Sequence, residues 1–301
     1  MTGLLSLQFT LFSIIAAGIL LKRLGIVSGA GQKSITNLVI YAVLPCNILN
    51  SFMVDMGPSV WKNCGLIFLV SMALHLGCVF YGGMLYRKDN ADRARCLRYG
   101  IICSNAGFLG NPVAEGVFGA EGLLLASVYL IPLRIMMWSE GIAIFSGVND
   151  RKAAVKRVIT HPCVVACAVG IFLMLTKLPV PELILTPVQT IGKCNTALSM
   201  LVIGMILADV RPRELLDRDL ALYSLHRLVF IPLALMVALK LLGVDPLITG
   251  VSVLLAAMPA GTTTAMLADK YGCDPQFATK MIIFSTLCSI PAISLWSLIL
   301  G

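Results

Sequence analysis

The sequence has little charge. Asp, Glu, Lys and Arg make up 13% of its 301 residues, against roughly 25% in an ordinary soluble domain. A soluble chain of this size needs more polar cover than that, so a conventional water-soluble protein is excluded. The 58% hydrophobic content and mean hydropathy of +0.91 exclude a disordered one. The ten cysteines are scattered through apolar runs with no CxxC or Cys/His cluster. That excludes a disulfide framework and argues against bound metal, leaving small buried thiols at helix contacts. There is no phosphate loop, GxSxG elbow or HExxH helix, so an ATP-driven pump and a membrane hydrolase have no support and the chain is not read as an enzyme. Long polar stretches are missing too: the longest connections between apolar runs, 87–98 and 147–158, hold no soluble domain. Basic residues follow the first apolar stretch rather than precede it, so this stretch reads as a retained span and not a cleavable signal.

What is present is apolar sequence in membrane-length pieces. About 20 apolar residues cross a bilayer as a helix, and ten such runs fall at 4–21, 34–54, 63–86, 99–119, 122–146, 159–177, 188–208, 220–242, 247–269 and 277–300. The expectation is an all-α polytopic membrane protein with ten transmembrane helices, since only helices fit segments of this length. The net charge of +8 follows from topology, not from nucleic-acid binding. Seventeen of the 23 Lys and Arg residues lie in or beside the odd-numbered loops, among them Arg87, Lys88, Arg151, Lys152, Arg157, Arg211 and Arg213. By the positive-inside rule those loops are cytoplasmic and both termini face outward, across the plasma membrane. Trp61, Trp138 and Trp296 sit near span ends, as interfacial aromatics do.

Five spans per half would give two inverted repeats, 1–146 and 159–301, joined by a cytoplasmic linker at 147–158. Short words recur at nearly one offset. Ala17-Gly18-Ile19 matches Val169-Gly170-Ile171, and Ala126-Ser127 matches Ala278-Thr279. Spans 2 and 7 end at Asp55 and Asp209, and spans 4 and 9 carry Pro112 and Pro259 near their middles.

Those two prolines stand among small polar residues, Ser104-Asn105-Ala106-Gly107 through Gly110-Asn111-Pro112 in span 4 and Pro259-Ala260-Gly261-Thr262-Thr263 in span 9. Proline removes a backbone donor and clashes with the preceding turn, so each span should unwind there. Asn111 and Pro112 suit a new helix start, as N-cap and first residue. A helix restarting in mid-membrane presents unpaired N–H groups and the positive end of its dipole, and two such starts at matching depth would cross and form an anion site suited to a carboxylate. Asn105, Gly110, Asn111, Pro112, Pro259, Gly261, Thr262 and Thr263 are the candidate substrate contacts. The bland alternative is a simple bend, which is all that Pro45, Pro132, Pro232 and Pro291 need represent.

Arg134 within span 5 and Glu115 one turn beyond Pro112 are charges at membrane depth, which cost about 2.5–3.5 kcal/mol each on insertion scales and therefore need a partner or a task. Either Arg134 holds a substrate carboxylate and Glu115 is its resting partner or a proton carrier, or the two form a permanent ion pair. His75 and His226 are candidates for proton relay or for helix packing. Arg227 is close enough to the end of its span to snorkel. Asn47, Asn50, Asn195, Thr196 and Ser199 in spans 2 and 7 either line the substrate cavity or bond helices together.

The stretch Asn105-x-Gly107-Phe108-Leu109-Gly110-x-Pro112 resembles the fourth-helix signature of the auxin efflux carrier family, whose members include bacterial permeases for malate and malonate and the plant PIN carriers. Leu44-Pro45, the span 9 proline and the ten-helix layout are also similar, and the resemblance covers essentially the whole chain. It implies a secondary transporter with a scaffold of spans 1, 2, 6 and 7 and a transport domain of spans 3–5 and 8–10. Substrate would bind where spans 4 and 9 cross and move by an elevator motion, in a dimer joined through the scaffold. The long central loop of many plant members is absent, and Val113 follows Asn111-Pro112 where their Asn-Pro-Asn-x-Tyr form has Asn. A small carboxylate carried by a bacterial-type member fits better than auxin. The expected activity is secondary active transport of a small mono- or dicarboxylate, without a cofactor other than a coupling H+ or Na+. The competing readings are a sodium-coupled organic-anion symporter similar to the bile-acid family, an uncoupled anion channel and a non-transporting sensor.

Overall fold

A computed structural model describes residues 2–53, 59–86, 91–146, 156, 159–208 and 217–300. The linker 147–158 apart from Lys156, the span-ending Asp55 and Asp209, and the basic Arg87, Lys88, Arg151, Lys152, Arg157, Arg211 and Arg213 lie outside the described residues. The described part is helical throughout, with one isolated β-bridge.

In the first half the helices are α1 (Thr2–Arg23), α2 (Gly29–Leu38), α3 (Leu44–Phe52), α4 (Ser59–Leu85), α5 (Ala91–Ile102), α6 (Asn111–Trp138) and α7 (Glu140–Ser146). In the second half they are α8 (Pro162–Thr176), α9 (Glu182–Lys193), α10 (Asn195–Ala208), α11 (Arg218–Leu225), α12 (Ile231–Leu241), α13 (Pro246–Ala256), α14 (Thr263–Lys270) and α15 (Pro275–Leu300). Among the described residues five stretches are long and apolar enough to cross a bilayer: Trp61–Leu85, Ala106–Ser146, Glu182–Ala208, Arg218–Leu241 and Pro275–Leu300. Pro162–Leu173 and Pro246–Ala256 are shorter apolar helices. The chain is thus a multi-pass helical membrane protein. Within α6, Gly119 has φ 67° and ψ −158°, a turn that only glycine adopts without strain, and it separates a short arm from the long helix that carries Arg134.

Three prolines share one local device. Pro45, Pro112 and Pro232 each follow a π turn, at Val39–Val43, Ala106–Gly110 and His226–Phe230. Proline cannot donate to the carbonyl four residues back and its ring crowds that carbonyl. Widening the preceding turn by one residue relieves the crowding while the helix continues. The carbonyl of Leu228, four before Pro232, accepts from the indole Nε1 of Trp296 at 2.8 Å. Trp296 is therefore a buried donor, not the interfacial anchor its place near a span end suggested. Pro132 and Pro291 lie inside α6 and α15.

Packing divides the helices into two groups. α1 runs along α10, where Gly18 lies against the Leu201 carbonyl and Gly204 against that of Ile15. α3 packs on α8 and α9, with Gly170 against the Phe52 ring. Small residues allow these backbone contacts, which matter because lipid leaves helix association to close packing. The second group joins α4 with α5 and α6, α13 with α6 and α12, and α15 with α11 and α14. Contacts between the groups, chiefly α3 and α10 on α6, are thinner.

Candidate functional site

The second group is interrupted twice, and the interruptions meet. Helix α5 ends at Ile102, and the chain stays unwound to Asn105 before the π turn at Ala106 starts a new helix. Helix α13 ends at Ala256, and α14 begins at Thr263. Ser104 and Ala260 form an antiparallel β-bridge, and the Asn105 N–H donates to the Pro259 carbonyl at 2.8 Å. The Asn105 carbonyl accepts from Leu109 and Gly110, the Gly261 carbonyl accepts from Thr264, and the Ala260 N–H reaches Ser285 Oγ. Unwound backbone at membrane depth must satisfy its polar groups within protein, and here each break supplies part of what the other lacks.

The first break is not where the proline predicted it. Asn111 has helical φ and ψ of −58° and −50° and makes no cap, and Asn105, seven residues before Pro112, is the residue that starts the helix. The π turn accommodates Pro112 without unwinding the chain there. Pro112 and Pro259 are accordingly not equivalent positions, despite their similar places in spans 4 and 9.

Beside the crossing is a cavity of about 500 Å³. One wall carries the two helix restarts, through Ser104, Asn105, Gly107, Gly261, Thr262 and Thr263, and Arg134 of α6. The other carries Asn37, Ile40, Tyr41 and Leu44, with Thr160, His161, Pro162 and Cys163 at the start of α8. Arg134 is 5% exposed, and its Nη1 has no hydrogen-bond partner. The missing side chain at Gly107 makes room for it, since a Cβ there would lie 3.5 Å from Nη2. Among the described residues no carboxylate lines the cavity. Among the described residues Arg134 has no ion-pair partner, and Glu115 bonds Asn47 instead. The arrangement gathers positive potential from a fixed guanidinium and from helix N-termini in a half-enclosed apolar setting, which suits an anion. A second cavity, about 650 Å³ between Leu69–Tyr81 and Phe230–Leu242, is lined almost wholly by apolar side chains and offers an anion nothing comparable.

Other candidates have different places. Glu115 accepts from Asn47 Nδ2 at 3.4 Å, Asn47 Oδ1 accepts from Asn195 Nδ2 at 3.1 Å, and Asn195 Oδ1 accepts from Ser199 Oγ at 3.2 Å. This chain ties α3 and α10 to α6, and none of its members lines the cavity. Asn50 donates to the Val188 carbonyl instead. Gly110 lies outside the cavity and lets Leu255 pack, as a Cβ would come within 2.6 Å of Leu255 Cδ2. Asn111 is buried off the cavity with neither side-chain polar atom partnered. His75 bonds the Ser71 carbonyl one turn back and meets the edge of Tyr129, and His226 bonds Tyr81; neither lines the cavity. The Thr263 hydroxyl is shared with Tyr99 at 2.8 Å.

Arg227 does not snorkel. It is 1% exposed, with Nε donating to the Met258 carbonyl at 3.1 Å and Nη1 to that of Ile101 at 2.8 Å, while Nη2 has no partner. These carbonyls belong to the ends of α13 and α5, where unpaired acceptors and the negative dipole end collect. Arg227 thus caps two helix C-termini at once. Sequence reasoning also passed over Ser104, Tyr41, Cys163 and His161. For His161 a signal existed, since His161-Pro162 at the start of an apolar run reads as an N-cap followed by proline at N1.

The fold and site define a helical multi-pass membrane protein in which two broken helices cross beside a cationic cavity. The chain matches the family model described as "Membrane transport protein" over residues 5–156 and 148–297. It belongs to that family, the auxin efflux carriers, and is a membrane transporter. It is 28% identical over 291 residues to an "Uncharacterized transporter" of Methanothermobacter thermautotrophicus, covering 95% of each chain. It is 21% identical over 313 residues to a "Putative malonate transporter" of Rhizobium meliloti, covering 98% of this chain and 95% of the relative. A "Probable auxin efflux carrier component 5b" of Oryza sativa subsp. japonica is 27% identical over 122 residues, 40% of this chain and 33% of that one.

Proposed function

We propose that the protein is a secondary active transporter of a small organic anion, a mono- or dicarboxylate, bound at the crossing of the two broken helices. The observation that carries this reading is the unpartnered Nη1 of the buried Arg134, in a cavity that both helix restarts line. A buried cation among helix N-termini is costly unless an anion completes it.

In this reading the chain crosses the plasma membrane ten times as two inverted repeats, with both termini outside. Its pairing supports the repeat: α1 of the first half packs on α10 of the second, and α8 of the second packs on α3 of the first, as an exchange of halves requires. The group built on α1, α3, α8, α9 and α10 is the scaffold and the group with both crossings is the moving domain. The cavity is lined from both, by residues at the starts of spans 2 and 6 that follow loops read as cytoplasmic, so in this reading the state is inward-facing. Movement of one group past the other carries the anion across as an elevator, driven by an H+ or Na+ gradient or by the membrane potential, in a dimer formed through the scaffold.

The test is thermal unfolding of the purified protein with malonate, malate, acetate and butyrate, with sodium and with choline. Stabilisation by at least one carboxylate is expected, and saturable, gradient-dependent flux in proteoliposomes. A protein that none of them stabilises would overturn the anion site, and ohmic flux without coupling would make it a channel. Carboxylate stabilisation that requires sodium would favour a symporter of the bile-acid type.

A further inference from the structure

The cavity has a polar group on its second wall. His161 is the N-cap of α8, with extended φ and ψ of −67° and 127°, and its Nδ1 accepts from the Cys163 N–H at 3.3 Å. A nitrogen that accepts from a backbone N–H carries no proton, so in the neutral ring the proton sits on Nε2. His161 lines the same cavity as Arg134. Pro162 and Cys163 also line the cavity, so the first turn of α8 borders it. α8 packs on α3, in the group that contains neither crossing. The anion therefore faces donors from both groups, Arg134 with the two restarts on one side and His161 on the other.

We propose that His161 is a specificity-determining contact, donating from Nε2 to a second acceptor on the anion whose first carboxylate Arg134 holds. This rests on the anion-site reading above. It gives the site a preference for an anion carrying acceptors at both ends over a monocarboxylate. Because the two donors belong to different groups, the contact exists only while the cavity faces this way and is lost when one group slides past the other.

The probes are malonate, with two carboxylates, and acetate, with one, measured by calorimetry on the purified full chain. His161→Asn keeps an acceptor for the Cys163 N–H, as asparagine caps helices well, but is shorter and withdraws the donor. It should weaken malonate binding about tenfold, within the range for one hydrogen bond to a charged group, and leave acetate binding unchanged. His161→Gln, which restores reach and an N–H donor, should recover most of the loss. Arg134→Gln should weaken binding of both by roughly 10- to 100-fold. If His161→Asn binds malonate like the wild type while Arg134→Gln does not, the inference fails and the anion site stands. Equal weakening of malonate and acetate, without recovery in His161→Gln, would mark a merely structural residue and also overturn it. A wild type that binds neither probe would remove the anion site itself.

Discussion

Arg227 and Arg134 are both buried at one crossing of helices, and they meet opposite ends of those helices. Arg227 stands where α5 and α13 finish, and two of its donors are taken by terminal carbonyls. Arg134 stands where the helices restart, among groups of its own sign, with Nη1 unpartnered. The first arrangement is favourable by itself, because a cation at a helix C-terminus is stabilised by the dipole and the free carbonyls. The second is unfavourable by itself, because a cation at a helix N-terminus opposes the dipole. A folded protein keeps such a charge when something outside it completes the site. Each guanidinium keeps one unpartnered nitrogen, Nη2 in Arg227 and Nη1 in Arg134, so the difference lies in which helix ends they face: the same residue type caps carbonyls in one place and faces helix starts and a cavity in the other.

Three substitutions test that contrast. Arg227→Gln should be the most damaging, since it strands the carbonyls of Ile101 and Met258. Two hydrogen bonds to a charged donor amount to about 3 kcal/mol or more. The expected outcome is a large fall in detergent unfolding temperature or loss of monodisperse protein on size-exclusion chromatography. A variant as stable as the wild type would show that the crossing does not depend on the cap. Arg134→Gln should do the reverse, unfolding at or above the wild-type temperature while carboxylate uptake into proteoliposomes falls by roughly 10- to 100-fold. A clear loss of stability there would erase the distinction between the two arginines. Trp296→Phe should have the smallest effect, removing one neutral donor from the Leu228 carbonyl. About 1 kcal/mol is expected, with uptake unchanged, and this calibrates what one bond is worth on the filled side.

Much of this architecture was legible in the sequence because membrane helices announce themselves by length and composition. Runs such as 63–86 and 277–300 agree with Ser59–Leu85 and Pro275–Leu300 to within a few residues. The interruption of span 9 at Pro259 was legible for the same local reason, a proline among glycine and threonine. The interruption of span 4 was not placed correctly, because a proline can be absorbed by a π turn and the unwinding then falls at Asn105 instead. The tasks of Arg227, of Asn47 with Glu115, and of His161 depend on partners 31 to 126 residues away for Arg227 and 68 away for Asn47, or, for His161, on which helix end shares a cavity. Periodicity and spacing carry no information about such pairings.

A π turn is a helix holding one residue more than its regular count, so it acts as a single-residue insertion. Each residue of an α-helix turns the chain by about 100°. The extra one within Ala106–Gly110 therefore sets the phase of everything in the arm that follows, and directs Glu115 towards Asn47. Deleting one residue there would keep the composition and nearly the length while swinging Glu115 about a quarter-turn away. Relatives of this chain that differ by one residue between the break and Pro112 are then expected to differ in which side chain of this arm meets α3, even where every residue type is preserved.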